Sequence, residues 1–177
     1  LEMFGHEAPQ VRRRAVWTLR DRKGNFLGKV ERLILKGNDL EQQSAIGFFG
    51  WRCPTEWALP RIKTMGKVLR DSSENVEVRA AAAASLVWYK PQGLAYYNDM
   101  LRLVLEDKPG DSFGLINHSL AITLERISKN PFGDGLVTDK DLFYKVTHKL
   151  SQHPRLGARG ASLPMWNNMP PEDFPKV

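Results

Sequence analysis

The chain has 177 residues, of which 42% are apolar, and this is enough for one compact domain or one short solenoid with a continuous core. No stretch approaches the roughly 18 consecutive apolar residues that cross a bilayer, and the single cysteine, Cys53, excludes an intramolecular disulfide. The net charge of +6 permits contact with nucleic acid or with an acidic partner, but it requires neither.

A short sequence motif near the start of the chain predicts the first helix. We call this motif the phrase. Val11, Ala15 and Leu19 are spaced by fours, and residues four apart share one face of a helix. The small Ala15 would let another helix approach closely, so we expect it to be buried. The same phrase returns at residues 78–86, where Ala82 takes the small position.

Three weaker copies extend the phrase to a series of five. They start at Leu40, Ile116 and Leu156, so the five starting positions are separated by 29, 38, 38 and 40 residues. Spacings of this size are typical of helix-pair repeats. The short first interval indicates an abbreviated first repeat, and Gly160 takes the small position in the last copy.

A second amphipathic segment lies between each pair of copies. Its apolar residues recur in steps of three and four, which predicts an apolar stripe along a helix. Asp39 and Gln42 have the spacing of a capping box. No run alternates between apolar and polar residues, so no strands are predicted. The four segments are residues 26–34, 58–69, 94–104 and 142–150.

These patterns predict an all-α fold, a right-handed α-solenoid of about five helical hairpins with the last one incomplete. The predicted domain covers residues 1–166, and residues 167–177 form a Pro-rich C-terminal tail. No signal peptide is visible. Both ends look cut, so a signal peptide or a further domain could have been removed. The compartment and the oligomeric state are both left open, and the cytoplasm is favoured over other locations.

The segments 6–19 and 76–86 are similar to HEAT repeats, in particular to the short bacterial kind called PBS-lyase HEAT-like repeats. The resemblance implies that Arg12 and Arg79 hydrogen-bond to a neighbouring repeat, and that the second helix of each pair lines the concave face. The other copies depart from the family pattern, because the position of this arginine is occupied by Glu41, Asn117 and Gly157.

On this resemblance, the expected function is a non-catalytic scaffold for protein–protein interaction, as a fragment or domain of a larger bacterial protein. The scaffold would present positive charge on its concave face to an acidic protein partner. Neither a specific nucleic acid nor a membrane is expected as a partner. The basic candidates on the second helices are Lys29, Arg32, Arg61, Lys63, Lys67 and Arg102.

Five tryptophans keep a nucleic-acid alternative open, since some small HEAT-like proteins bind DNA and excise damaged bases. Trp51 and Trp57 flank a loop and are the best candidates for an exposed aromatic pair that could stack on a base. Packing at the end of a helical hairpin is the favoured interpretation of both. The sequence offers no convincing Trp–Asp constellation for a glycosylase.

Catalytic and metal-binding motifs are not found. None of the four histidines has a second His or Cys at the spacing of metal ligands, and Cys53 lacks a catalytic signature. Phosphate loops, nucleophile elbows and kinase motifs are also missing. We therefore predict no catalytic residue, no metal and no cofactor. A bilin lyase or chaperone is a third possibility, but it follows only from the name of the repeat type.

Overall fold

A computed structural model describes residues 1–22, 25–50, 52–106, 132, 134–153, 156–167 and 169, including the side chains of 159, 160 and 162–167 in the last helix. Within these residues the regular structure is helical throughout, which confirms the prediction of an all-α fold. The described chain divides into two compact units, Leu1–Tyr96 and Tyr97–Val177.

The regular structure of the described residues consists of nine α-helices and three short 3-10 turns. The 3-10 turns are Glu2–Gly5, Leu59–Arg61 and Gln92–Tyr96. The α-helices are α1 (Pro9–Arg20), α2 (Leu27–Lys36), α3 (Asp39–Phe48), α4 (Thr55–Ala58), α5 (Ile62–Arg70), α6 (Val76–Leu86), α7 (Tyr97–Leu105), α8 (Lys140–Ser151) and α9 (Leu156–Asn167).

In the first unit, the helices that carry the repeated phrase pack side by side. Helix α3 lies against α1 and α6, while α2 packs on α3 and α5 packs on α6. The side chains between them are fully buried, among them Ile34, Phe48, Met65 and Leu86. Each second helix therefore covers the phrase helix that follows it in the chain.

The fourth residue of α3 and of α6 joins each helix to the second helix before it. Arg79 is 6% exposed, and its Nε donates to the carbonyl of Leu69 in α5 at 3.0 Å. Gln42 is also buried, and its Nε2 donates to the carbonyl of Ile34 in α2 at 3.1 Å. Both side chains thus satisfy carbonyls near helix ends, which lack partners within their own helices. The structural role predicted for Arg79 is confirmed.

The fourth residues of α1 and α9 make a similar bond to the chain that precedes their own helix. Arg12 Nη1 donates to the carbonyls of His6 and Glu7, each at 2.7 Å. Arg159 Nη1 donates to the carbonyl of His153 at 2.8 Å. Arg12 therefore has a structural role, but the prediction that it bonds to a neighbouring repeat is wrong, because its acceptors lie in the short segment between the 3-10 turn and α1.

These donors define the register of the repeated phrase more accurately than the apolar spacing does. The residue three positions after each donor is small, and Ala45, Ala82 and Ser162 are buried there while Ala15 is half-buried. The prediction for Gly160 is wrong, because it is exposed with open space around it. It lies two residues, about 200° of helix rotation, away from Ser162.

The capping box of α3 lies one residue before its predicted position. The Asn38 side chain accepts hydrogen bonds from the backbone N–H groups of Leu40 and Glu41, and the Glu41 carboxylate accepts one from the N–H of Asn38. The Gln42 side chain is therefore not part of the cap. It points into the unit, where it donates a hydrogen bond to the Ile34 carbonyl of α2.

In the second unit, α8 packs against both α7 and α9. Its buried face includes Phe143 and Val146, and Asp139 caps its N-terminus by accepting from the backbone N–H of Leu142 at 2.9 Å. The copy predicted from residue 116 onward lies outside the described residues. Of the predicted tail, only residues 167 and 169 are described, and the continuity of one domain over 1–166 stays a prediction.

Candidate partner-binding surface

Helix α2 is amphipathic, and its solvent side is basic. Val30 and Ile34 are fully buried, whereas Lys29 and Arg32 are exposed. Lys29 and Arg32 are three residues apart, a spacing that places two side chains on one edge of a helix.

Helix α5 repeats this arrangement in the first unit. Met65 and Leu69 are fully buried, whereas Lys63 and Lys67 are exposed and four residues apart. Across the described residues, no ion pair or hydrogen bond engages the side chain of Lys63, of Lys67 or of the two cations of α2. We call these four side chains, Lys29, Arg32, Lys63 and Lys67, the basic face.

Arg61 behaves differently from the basic face. Its Nε forms an ion pair with Glu31 Oε2 at 3.0 Å, and its Nη1 donates to the carbonyl of Trp57 at 3.4 Å. The guanidinium also lies 5.7 Å from the ring centroid of Phe49. Arg61 thus links α2 to the turn that leads into α5. Glu31 balances its charge, so Arg61 supports the basic face rather than adding a free cation to it.

Arg102 belongs to the second unit, on α7. Its Nη1 lies 3.0 Å from Asp99 Oδ1, three residues earlier in the same helix, and its side chain is 57% exposed. An exposed ion pair of this kind contributes little to stability, so the guanidinium stays available to solvent.

Trp57 packs within the first unit. Its ring stacks on that of Phe48, with centroids 6.3 Å apart and planes at 5°, and meets the edge of Phe26 at 5.8 Å. The indole is half-buried in this aromatic cluster, and only part of its face reaches solvent. Trp51, the other predicted stacking residue, lies outside the described residues.

The end of α3 carries a polar cluster that sequence analysis missed. Arg20, from α1, donates from Nε to the carbonyl of Phe48 at 2.8 Å and from Nη2 to those of Gly47, at 2.6 Å, and Phe48. A cation at this place also balances the partial negative charge of a helix C-terminus. No local signal could have identified this role, because the acceptors are backbone carbonyls 27 and 28 residues away.

Two further side chains complete the cluster from the other side. The Tyr89 hydroxyl lies within hydrogen-bonding distance of the carbonyls of Phe49, at 2.5 Å, and Gly50, at 2.9 Å. Ser85 Oγ donates to the carbonyl of Ile46 at 3.2 Å. Side chains from α1, from α6 and from the segment after α6 therefore reach the consecutive carbonyls of residues 46–50, and the last two share the single hydroxyl proton of Tyr89.

Cys53 lies in this cluster and is buried. Burial raises the pKa of the Cys53 thiol, and the nearby Arg20 lowers it by a smaller amount. Burial likewise raises the pKa of Tyr89 and lowers that of Arg20. The thiol therefore stays protonated at neutral pH, a state in which cysteine is a poor nucleophile.

The described residues contain no group of three or more His, Cys, Asp and Glu side chains that could hold a metal ion. His6 has a local role, since its Nδ1 accepts a hydrogen bond from the backbone N–H of Ala8 at 3.0 Å. In the described part of the chain, no helix combines the length and apolar character that crossing a membrane demands.

Two open grooves border α1. The first, of about 330 Å³, runs along α1, α3 and α6 and includes Arg13, Trp17 and Gly47. The second, of about 440 Å³, lies between α1 and the N-terminal 3-10 turn. We call the second one the α1 groove, and its apolar lining consists of Leu1, Met3, Phe4, Val11, Ala15 and Leu19.

Comparison with known proteins gives no further guide to the site, since no protein-family model, curated protein or solved structure matches this chain.

Proposed function

We propose that this chain is a non-catalytic scaffold of HEAT-like helical repeats that binds an acidic surface of a protein partner through its basic face. The observation that carries the proposal is the set of four exposed cations on α2 and α5 without ion-pair partners among the described residues. The stacking of the hairpins into a right-handed solenoid is part of the same proposal.

The distribution of charge supports this choice of surface. Residues 1–96 contain sixteen Lys and Arg against ten Asp and Glu, whereas residues 97–177 contain ten of each. The whole net charge of +6 therefore resides in the part of the chain that carries the basic face. Complementary charge accelerates encounter and selects an acidic partner over a basic one.

The packing of Trp57 favours a protein partner over the nucleic-acid alternative. Its ring already contacts Phe26 and Phe48, so much of the indole surface is engaged within the protein and less is left to stack on a base. The buried, protonated thiol of Cys53 also gives no support to a covalent enzyme mechanism.

The test uses labelled poly-L-glutamate as the acidic probe, measured by fluorescence anisotropy in 150 mM salt. The face variant carries Lys29→Gln, Arg32→Gln, Lys63→Gln and Lys67→Gln. The control variant loses the same charge at exposed residues elsewhere in the first unit, through Arg13→Gln, Arg14→Gln, Arg22→Gln and Lys90→Gln. We expect the face variant to bind at least tenfold more weakly than the control variant.

Equal losses in the two variants would contradict the proposal, since binding would then follow net charge and not the basic face. A 20-base-pair DNA duplex serves as the second probe. Sub-micromolar affinity for this duplex at 150 mM salt would favour the nucleic-acid alternative, because binding through phosphates falls steeply as the salt concentration rises.

A further inference from the structure

The first of the two grooves that border α1 is lined by three helices of the first unit. Helix α3 packs against both α1 and α6, and all three helices contribute to the lining. Pro9 and Arg20, the first and last residues of α1, both line the groove, so it extends along this helix for about 17 Å. We call it the Trp17 groove, and its lining includes Arg13, Val16, Trp17, Gln43, Gly47 and Ala81.

The α1 side of the Trp17 groove is positively charged. Three arginines line it, and none of the described lining residues is acidic. Arg13 is exposed, and no ion pair engages its side chain among the described residues. Arg12 and Arg20 donate to backbone carbonyls, which are neutral, so these bonds hold the two guanidinium groups in place without balancing their charge. The groove therefore complements an acidic ligand.

Gly47 leaves an open position in the lining. It is exposed, and a Cβ added there would have no heavy atom within 4 Å. Among the described glycines, a positive φ occurs at Gly135 and not at Gly47. Neither the backbone nor the packing of the described chain thus requires glycine here, although glycine is a poorer helix former than alanine. The missing side chain does give another molecule access to the backbone of α3.

Trp17 lies close to this open position. Arg20 connects the two, because its Nη2 donates to the Gly47 carbonyl at 2.6 Å while its guanidinium lies 5.3 Å from the centroid of the Trp17 ring. The indole is half-buried, so part of its surface is left for a ligand. The middle of the groove therefore offers an apolar contact beside a vacant position.

The spacing of side chains along α1 fits an extended peptide. Trp17 follows Arg13 by four residues and precedes Arg20 by three, which correspond to about 6 Å and about 4.5 Å along the helix axis. In an extended chain, alternate side chains lie on one face about 6.6 Å apart. Three alternate residues of an extended segment, in the order acidic, apolar and acidic, therefore match the order and approximate spacing of Arg13, Trp17 and Arg20.

We propose that the Trp17 groove binds an extended segment of a partner protein in which two acidic residues flank an apolar residue at alternate positions. The apolar side chain lies against Trp17, over the open position at Gly47. The two carboxylates lie beside Arg13 and Arg20. This site is separate from the basic face on α2 and α5, and it recognises an apolar side chain as well as charge.

The probes are three five-residue peptides, acetylated and amidated, that are titrated into the isotope-labelled full chain in 150 mM salt and followed by NMR. The first is Glu-Ser-Leu-Ser-Glu. The second has Ser in place of Leu, and the third has Lys in place of both Glu residues. We expect the first peptide to bind at least fivefold more tightly than either of the others. The indole N–H resonance of Trp17, assigned with a Trp17→Phe variant, should shift on binding, whereas that of Trp57 should not.

Filling the open position locates the binding. Gly47→Leu should weaken binding of the first peptide at least fivefold, and the variant should stay folded because leucine is the better helix former and has open space there. Gly28→Leu is the matched control, since Gly28 is also an exposed helical glycine with open space around it, on α2 and outside the groove lining. The control should change the affinity less than twofold, and circular dichroism checks that both variants are folded.

A charge reversal gives a second test that leaves the open position unchanged. Arg13→Glu should weaken binding of the first peptide at least threefold and should strengthen binding of the lysine peptide. Arg14→Glu makes the same change at the next residue, which is exposed and lines the other groove. This control should change both affinities less than twofold.

Several outcomes would overturn the proposal. One is equal binding of the leucine and serine peptides, and another is binding that Gly47→Leu leaves unchanged. Self-association of the chain that Gly47→Leu abolishes would show that a second copy occupies the groove. A single-stranded DNA oligonucleotide that binds more tightly than the first peptide, and loses this binding in the same variant, would identify a nucleic-acid site.

The Trp17 groove and the basic face are tested independently. Poly-L-glutamate has no apolar side chain to place over Gly47, so its affinity for the Gly47→Leu variant should stay within threefold of that for the original chain. For the same reason, the loss of Arg13 in the control variant of the basic face should not imitate the loss of that face. The face variant leaves the groove lining unchanged, so its affinity for the first peptide should stay within the same limit.

Discussion

Helices α1 and α6 carry the same sequence phrase but differ in burial. In α6, Val78, Ala82 and Leu86 are all fully buried, whereas in α1 the matching Val11, Ala15 and Leu19 are only half-buried. Helix α6 lies between α3 and α5, while α1 has α3 on one side and only a 3-10 turn on the other. The same phrase is therefore compatible with full burial between two helices and with partial burial beside a 3-10 turn.

The largest expected difference between the two helices concerns the small residue of the phrase. Ala82→Leu should lower the free energy of unfolding by about 3 kcal/mol, because the added atoms have no space between packed helices. Ala15→Leu should change it by less than about 0.5 kcal/mol, since its side chain can extend into the α1 groove. Urea unfolding of both variants measures the difference, and equal losses would show that the two faces are equally packed.

A smaller difference is expected at the arginine of the phrase. Arg79→Met should lower the free energy of unfolding by about 2 kcal/mol, because it leaves the buried carbonyl of Leu69 without its donor. Arg12→Met should lower it by less than about 1 kcal/mol, since water can replace the donor at the exposed carbonyl of His6. Thermal and urea unfolding provide the measurement. A larger loss at Arg12 than at Arg79 would reverse the comparison.

The smallest expected effect is a pH dependence at the end of α3, where Arg20 of α1 and Tyr89, which follows α6, meet around Cys53. Burial raises the pKa of the Cys53 thiol in the folded chain above its ordinary value of 9.0. Above that pH the unfolded chain releases the thiol proton while the folded chain retains it. Stability that is present below pH 9 is therefore lost as the pH rises, by no more than about 1.4 kcal/mol per pH unit for one proton.

The Cys53→Ser variant isolates this effect, since a serine hydroxyl does not ionise in this range. Urea unfolding at pH 7.5 and pH 10 should show a smaller loss for the variant than for the original chain. Identical pH profiles would mean that the thiol is reached by water in the folded chain, and that α1 and the segment after α6 do not seal the end of α3.

The sequence was sufficient to predict the helices because their apolar periodicity is local. All four predicted second segments contain a helix, and Ala82 and Arg79 are buried as their phrase requires. The predicted register is wrong in the last copy of the phrase, where the match to the phrase is weak. Gly160 was chosen by its spacing from Leu156, whereas the donor Arg159 identifies Ser162 as the buried small residue.

The candidate surface was predictable in part. The exposure of Lys29 and Lys63 follows from helix periodicity, since they lie opposite buried apolar residues. The sequence pattern could not predict the pairing of Arg61 with Glu31 or the bonds of Arg20 to α3. Both join residues about 30 apart in the chain, beyond the range of helix periodicity. The α1 groove was not predictable either, because periodicity identifies an apolar face and gives no information on what packs against it.

The carbonyls at the end of α3 that accept from side chains have a consequence for how this sequence can change. Arg20 is far along the chain from Ser85 and Tyr89, yet each of the three donates to backbone carbonyls that no substitution can remove. Loss of Ser85 leaves Ile46 with the hydrogen bond from the backbone N–H of Phe49, whereas a new residue at position 20 or 89 removes the side-chain donor of Phe48 or Phe49. The constraint on Arg20 and Tyr89 therefore comes from backbone atoms that any residue at positions 48 and 49 would supply, so it leaves no trace in the amino-acid sequence there.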